Sequence, residues 1–134
     1  MDWDKCKKEF VREVEVDESR IRSLVKTSQI RFKRAQFPFE DNYSFALEDY
    51  YESIKELLVA YLLKHGFKSS NHQCLISFFY EKTRKEFECT LIQQMSFYRN
   101  RLLYYGELVP QKFVLDNSEE FSKIVSYLVE ELGK

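Results

Sequence analysis

Apolar residues recur at helical spacing along most of this 134-residue chain. The widest apolar stripe predicts a helix from Tyr43 to His65, because its members fall on one face at 3.6 residues per turn. A second stripe predicts a helix from Asp17 to Phe37, and Pro38 favours its end there. The longer helix carries Leu47, Tyr50, Tyr51, Ile54, Leu57, Leu58, Tyr61 and Leu62, and the other carries Ile21, Leu24, Val25, Ser28, Phe32 and Ala35.

Two capping-box patterns predict the starts of two further helices. The first, 70–73, precedes a short helix with Leu75, Ile76, Phe78 and Phe79. The second, 83–86, opens a helix that runs to about Tyr105 and that Gly106 ends. A last helix is expected to begin near Asn117 or Ser118, where Glu119 and Glu120 favour a first turn. Its buried face comprises Phe121, Ile124, Val125, Leu128 and Leu132.

Together these patterns predict an all-α fold in a single domain over residues 1–134. Three glycines and two prolines suit long helices, and no segment alternates with period two for long enough to indicate a sheet. Short links favour an antiparallel up-and-down bundle of four to five helices. For residues 1–16 we expect either a loosely ordered lead-in or a short helix.

Composition limits the function and the location. The net charge of −1 gives no global attraction to nucleic acid or membrane, and nothing indicates DNA specificity. Cys6, Cys74 and Cys89 are odd in number and lack CxxC spacing, so we expect a cytoplasmic protein with reduced thiols. The sequence offers no membrane span. His65 and His72 have no metal-ligand spacing with the cysteines, so no metal or cofactor is expected.

The segment 97–106 combines arginines with aromatic residues inside a predicted helix. At 100° per residue its core stripe comprises Phe87, Leu91, Tyr98, Leu102 and Tyr105. Arg99 lies about 100° from Tyr98, in a second apolar strip with Ile92, Met95 and Leu103. An apolar strip beside the core needs a cover, so these four residues predict a homodimer interface. Arg101 lies on the other flank, and Asn100 points nearly opposite the core stripe.

Arg99 has two chemical interpretations. Its guanidinium could hold a phosphate by two hydrogen bonds, or it could form an ordinary ion pair with a carboxylate. Acidic residues on the predicted helix 43–65 are the expected partners of Arg99 and of the basic first helix. They are Glu48, Asp49, Glu52 and Glu56.

Three short motifs carry a resemblance to a known family. They are Arg99-Asn100, the aromatic-pair helix from Asp49-Tyr50-Tyr51 to Gly66, and the helix start 69–76. In this order and spacing the chain resembles the HEPN superfamily of small helical bundles, which prokaryotes often encode beside minimal nucleotidyltransferases. The resemblance implies a dimeric protein of a toxin–antitoxin-type system that binds a nucleotide or RNA phosphate. The implied binding residues are Arg99, Asn100, Arg101 and Lys55.

The chain departs from the family at its histidine. The family places a histidine four to six residues after the arginine, where this chain has Leu103, Tyr104 and Tyr105. Some members carry another histidine at the position of Lys55. We therefore expect binding rather than catalysis. The alternatives are a metal-independent ribonuclease that uses Arg99 with Tyr104 or Tyr105, and a non-catalytic dimeric interaction module. His65 and His72 are interpreted as structural.

Overall fold

A computed structural model describes residues 2–134 of the chain. Over that range the chain forms six α-helices and one two-stranded sheet. In chain order they are α1 (Trp3–Glu9), β1 (Arg12–Glu13), α2 (Glu18–Ala35), α3 (Tyr43–Lys64), β2 (Phe67–Lys68), α4 (His72–Thr83), α5 (Glu86–Tyr105) and α6 (Gln111–Leu132), with a single 3-10 turn (Phe39–Asp41) between α2 and α3. The predicted all-α fold is confirmed.

Helix α3 is the centre of the bundle. Helices α2, α4, α5 and α6 all pack against it. Its buried positions include Leu47, Ile54, Leu57 and Leu58, which are at most 1% exposed. A helix buried by neighbours on several sides loses the clear division between an apolar and a polar face, so α3 carries a wide apolar surface.

The two longest predicted stripes are confirmed. Helix α2 buries Ile21, Ser28 and Ala35 against α3, and every residue of the α3 stripe is buried. At the crossing, Ser28 Oγ donates to the Ser53 carbonyl at 2.9 Å and Ser53 Oγ donates to the Ser28 carbonyl at 2.8 Å. Because each hydroxyl has a hydrogen-bond acceptor on the other helix, these two small residues let the helices approach closely without a buried, unpaired polar group.

Three predicted helix starts are wrong. Helix α6 begins at Gln111, directly after Pro110, about six residues before the expected start at Asn117. Proline fixes its own φ near helical values, so it can precede a first turn as well as stop a helix. The Asn117 side chain instead donates to the Phe113 carbonyl inside α6. For α4 the cap is one residue later than expected, because Asn71 Oδ1 accepts from the Cys74 amide.

The third wrong start concerns α5. Thr83 ends α4, and its Oγ1 donates to the Phe79 carbonyl at 2.7 Å. Arg84 then adopts a left-handed conformation with φ of 56°, and Lys85 is the N-cap of α5. The segment 83–86 therefore spans the break between the two helices, and the N-cap of α5 is Lys85, two residues after the expected Thr83.

The N-terminal segment is a packed lead-in helix. Strands β1 and β2 pair antiparallel, with Arg12 opposite Lys68, and this pairing brings α1 against α4. Trp3 places its ring edge-on against Phe67 and Phe78, with centroids 5.5 and 4.8 Å apart. Of the two alternatives for residues 1–16, the structure has the short helix.

Two of the three cysteines form a disulfide. Cys6 of α1 and Cys74 of α4 are bonded, with Cα atoms 5.6 Å apart. The expectation of three reduced thiols is therefore wrong for this pair, because a separation of 68 residues in sequence hides their contact. Cys89 is a free, buried thiol. Burial, with a smaller effect from Glu88, raises the pKa of Cys89 to about 11.

Nowhere between residues 2 and 134 is there a helix with the length and apolar character needed to cross a bilayer. The predicted cytoplasmic location stays a prediction.

Candidate phosphate-binding cluster

Arg99 extends the buried face of α5. Ile92, Met95 and Arg99 lie within about 60° of one another around the helix axis. Ile92 is 1% exposed and Met95 is not exposed, because α5 packs this face against α3 and α4. The predicted dimer interface is therefore wrong for Ile92 and Met95, which the chain's own helices cover.

The predicted core stripe of α5 is wrong at both ends. Phe87 and Tyr105 are exposed, whereas Leu91 is buried and Tyr98 and Leu102 pack against the core. The actual buried face is rotated toward the strip that carries Arg99. Leu103 continues that strip but is 53% exposed, since it lies in the last turn of the helix.

Arg99 shares a carboxylate with Lys55. Arg99 Nη2 lies 3.0 Å from Glu52 Oε1, and Lys55 Nζ lies 2.7 Å from Glu52 Oε2. The three side chains are only 16% to 24% exposed. Glu52 and Lys55 lie in one turn of α3, and Arg99 lies in the facing helix, α5. We call these three residues, with Tyr51 and His72, the Arg99 cluster.

An aromatic ring supports the guanidinium. The Arg99 Cζ atom lies 5.7 Å from the centroid of the Tyr51 ring, within the range of a cation–π contact. Arg99 Nη1 also donates to Asn100 Oδ1 at 3.2 Å. The planar group is thereby held on two sides, so its orientation is fixed before any ligand arrives.

His72 belongs to the same cluster. It is the first residue of α4, and its Nδ1 lies 3.3 Å from the Tyr51 hydroxyl oxygen. Burial lowers the pKa of His72, the charges of Lys55 and Arg99 lower it further, and Glu52 opposes them. No local pattern could reveal this position, because His72 reaches the site through packing of α4 on α3.

Tyr51 connects the three helices of the cluster. Its hydroxyl lies 3.3 Å from His72 Nδ1 of α4, and its ring contacts the Arg99 guanidinium of α5. Burial raises the pKa of Tyr51, while Ser96 and Arg99 act in the opposite direction. The phenol is therefore neutral and can serve as both donor and acceptor.

The charge balance of the cluster favours an anion. Two half-buried cations share one carboxylate, so one positive charge is left without a counter-charge among these groups. Arg99 has N–H donors beyond those that reach Glu52 and Asn100, and Lys55 has two further ammonium hydrogens. Between residues 2 and 134, no three His, Cys, Asp or Glu side chains converge as a set of metal ligands.

Arg101 lies outside this cluster, on the outer face of α5. Its Nε donates to Glu107 Oε2 at 2.5 Å, and its guanidinium lies over the rings of Phe97 and Tyr105. The hydrogen bond with Glu107 raises the pKa of Arg101 and lowers that of Glu107. Thus the structure separates Arg101 from the other predicted phosphate ligands.

Tyr104 and Tyr105 do not join Arg99 either. They lie about 140° and 120° from it around the helix and are 69% and 71% exposed. With Phe97 and Arg101 they form an exposed aromatic strip on the outer face of α5, which we call the outer strip. The combination of Arg99 with either tyrosine, required by the ribonuclease alternative, is therefore not formed within one chain.

Three of the four acidic residues of α3 pair with bases as expected, whereas Glu48 forms no salt bridge with any residue between 2 and 134. Besides Glu52, Asp49 accepts two hydrogen bonds from Arg34, at 2.8 and 2.6 Å. Glu56 lies 2.5 Å from Arg31. These pairs bind α2 to α3. Because they neutralise those arginines, the cluster around Lys55 and Arg99 is the better anion site.

Comparison with protein-family models, with curated proteins and with solved structures yields no match to this chain.

Proposed function

We propose that this chain is a HEPN-like helical bundle that binds a phosphate group of a nucleotide or RNA at the Arg99 cluster. One observation carries the proposal: Arg99 and Lys55 come from different helices and share the carboxylate of Glu52. Two cations around one carboxylate leave a net positive, partly dehydrated site, which suits a phosphate oxygen.

The cluster suggests how the phosphate binds. The guanidinium is held by Tyr51 and Asn100, so a phosphate meets a donor pair that needs little further ordering. Lys55 contributes as a point charge, and its link to Glu52 keeps the flexible side chain near α5. The bound phosphate then competes with Glu52 for both cations.

The resemblance adds partners to the proposal. We place the chain in a toxin–antitoxin-type system, as a homodimer that works with a minimal nucleotidyltransferase. The exposed residues of α5 support an interface, because Phe97, Leu103 and Tyr104 present apolar surface to solvent. The interface is thus shifted from Ile92 and Met95 to the outer strip and Leu103.

A titration with AMP and with a short single-stranded RNA tests the binding proposal. Arg99→Ala and Lys55→Ala are expected to weaken binding at least ten-fold, as for the loss of one charge-assisted contact worth about 1.4 kcal/mol or more. Arg101→Ala is the matched control, since it removes an arginine of the same helix outside the cluster. Equal affinity of the wild type and Arg99→Ala, or no binding by either, would refute the proposal.

The second candidate is a non-catalytic dimeric interaction module. It is favoured by the pairing of Arg99 with Glu52, which already gives this arginine a structural partner, and by the exposed outer strip. In that case Leu103→Glu with Tyr104→Ser would reduce the mass measured by light scattering while Arg99→Ala would leave it unchanged. A mass that no outer-strip variant alters would exclude this candidate.

A further inference from the structure

We propose that His72 is the third donor of the Arg99 cluster, and that its imidazole takes up a proton when a phosphate binds. The inference rests on the proposed function and adds to it a further phosphate-binding residue and a dependence of binding on pH.

The position of His72 is fixed by two elements. Asn71 caps α4, and this fixes the start of the helix at His72. The Tyr51 hydroxyl then holds Nδ1 at 3.3 Å. With one ring nitrogen engaged, the orientation of the other is determined as well.

The second ring nitrogen is available for a ligand. No residue between 2 and 134 forms a hydrogen bond with His72 Nε2. A protonated imidazole donates from both nitrogens, so Nδ1–H can donate to Tyr51 while Nε2–H donates to a phosphate oxygen. The Tyr51 hydroxyl accommodates this change, since its oxygen can accept from Nδ1–H as well as donate to a neutral Nδ1.

The charges that face His72 explain why proton uptake accompanies binding. On α3 these are Glu52 and Lys55, with neutral Tyr51, and on α5 Arg99. The two cations and burial outweigh Glu52, so the imidazole is neutral in the free protein near neutral pH. A bound dianion adds negative charge beside the ring and favours the imidazolium. By linkage, a ligand that favours the protonated form binds more tightly as the pH falls.

Sulfate is the appropriate first probe, because it stays a dianion throughout the range in which histidine titrates. Its affinity for the wild-type protein is expected to rise several-fold between about pH 8 and 6. His72→Gln keeps a neutral amide donor near the position of Nε2, so its affinity for sulfate is expected to be nearly independent of pH. His65→Gln is the matched control and should behave as the wild type.

NMR of the imidazole ring protons gives a direct readout. Saturating sulfate is expected to raise the pKa of His72 by about one unit, the effect of roughly a ten-fold preference for the protonated protein. His65, whose Nδ1 is bonded to the Tyr61 carbonyl at 2.8 Å, should not respond. Calorimetry in two buffers with different ionisation enthalpies would independently measure the number of protons that the protein takes up when sulfate binds.

The outcomes separate the two proposals. Sulfate binding that depends on Arg99 but leaves the His72 titration unchanged would overturn the role of His72 and leave the phosphate site intact. Absence of sulfate, AMP and RNA binding would overturn both. A pH dependence that persists in His72→Gln would also refute this inference, because the proton would then enter another group.

Discussion

Arg99 of α5 and Glu52 of α3 form an ion pair at 3.0 Å in which the two side chains are 17% and 16% exposed. Glu52 is therefore a structural partner of Arg99 and a competitor of any bound anion. These two roles predict opposite effects of one substitution. A change that weakens the fold at this point should strengthen phosphate binding.

Glu52→Gln is expected to lower the free energy of unfolding by about 1 to 3 kcal/mol, since two half-buried cations lose their counter-charge. The same change should raise the affinity for AMP roughly ten-fold, because a negative charge beside the phosphate is removed. Urea denaturation and calorimetry measure the two effects. Glu56→Gln, which removes the partner of Arg31, is the control that should leave AMP affinity unchanged. Weaker AMP binding by Glu52→Gln would contradict the competition.

The pH dependence of stability should report on His72. Its pKa is lowered in the folded chain from the ordinary value of 6.5, so the unfolded chain binds the proton more strongly. The resulting stabilisation is present above about pH 6.5 and is lost as the pH falls toward the lowered pKa of the folded state. In urea denaturation the wild type should therefore lose stability over this range relative to His72→Gln. Parallel curves for the two proteins would count against a buried, neutral imidazole.

The reciprocal bonds of Ser28 and Ser53 should couple α2 to α3. Each single alanine substitution is expected to cost about 1 to 2 kcal/mol, since a buried carbonyl loses a donor. The double substitution should cost less than the sum, because the two hydroxyls also contact each other at 2.9 Å. A double-mutant cycle in urea measures the coupling. Additive effects would show that the two serines act independently.

Sequence patterns were sufficient for the parts of the fold that are determined locally. The stripes of α2 and α3 repeat over several turns, so their buried residues follow from periodicity alone. The four acidic residues of α3 are also predicted to pair with bases, and three of them, Glu52, Asp49 and Glu56, do so. In the first case several residues of one helix point to the same buried face. In the second case opposite charges on neighbouring helices identify the partners.

The missed features depend on contacts between distant segments. The predicted core stripe of α5 includes Phe87 and Tyr105, yet both are exposed near the ends of the helix. Periodicity gives the direction of a side chain but not whether a neighbouring helix covers it. The place of His72 beside Tyr51 has the same origin, because it requires the packing of α4 on α3.

Cysteine labelling should distinguish the disulfide from the buried thiol. With iodoacetamide and no reductant, the folded protein should remain unlabelled, because Cys89 is buried and its pKa is raised to about 11. In denaturant without reductant Cys89 alone should react, and with reductant all three cysteines should react. Mass spectrometry counts the added groups. Labelling of Cys6 or Cys74 in unreduced, denatured protein would contradict the disulfide.

Reducing the disulfide should also lower stability. A bond across 68 residues closes a long loop, and its loss is expected to cost roughly 2 to 4 kcal/mol. Urea denaturation with and without reductant measures this. Cys89→Ser should respond to reductant as the wild type does, which assigns the effect to the Cys6–Cys74 pair.

We do not expect a single chain to cleave RNA with Arg99 and either Tyr104 or Tyr105. Tyr104 and Tyr105 point away from Arg99, and a phenol is a weak general base at neutral pH. RNA incubated with micromolar protein and chelator should therefore remain intact. Cleavage that is abolished by Arg99→Ala and by Tyr104→Phe, but retained by Tyr80→Phe, would contradict this expectation. It would imply that a second copy brings its outer strip to the Arg99 cluster, since no single chain can join them.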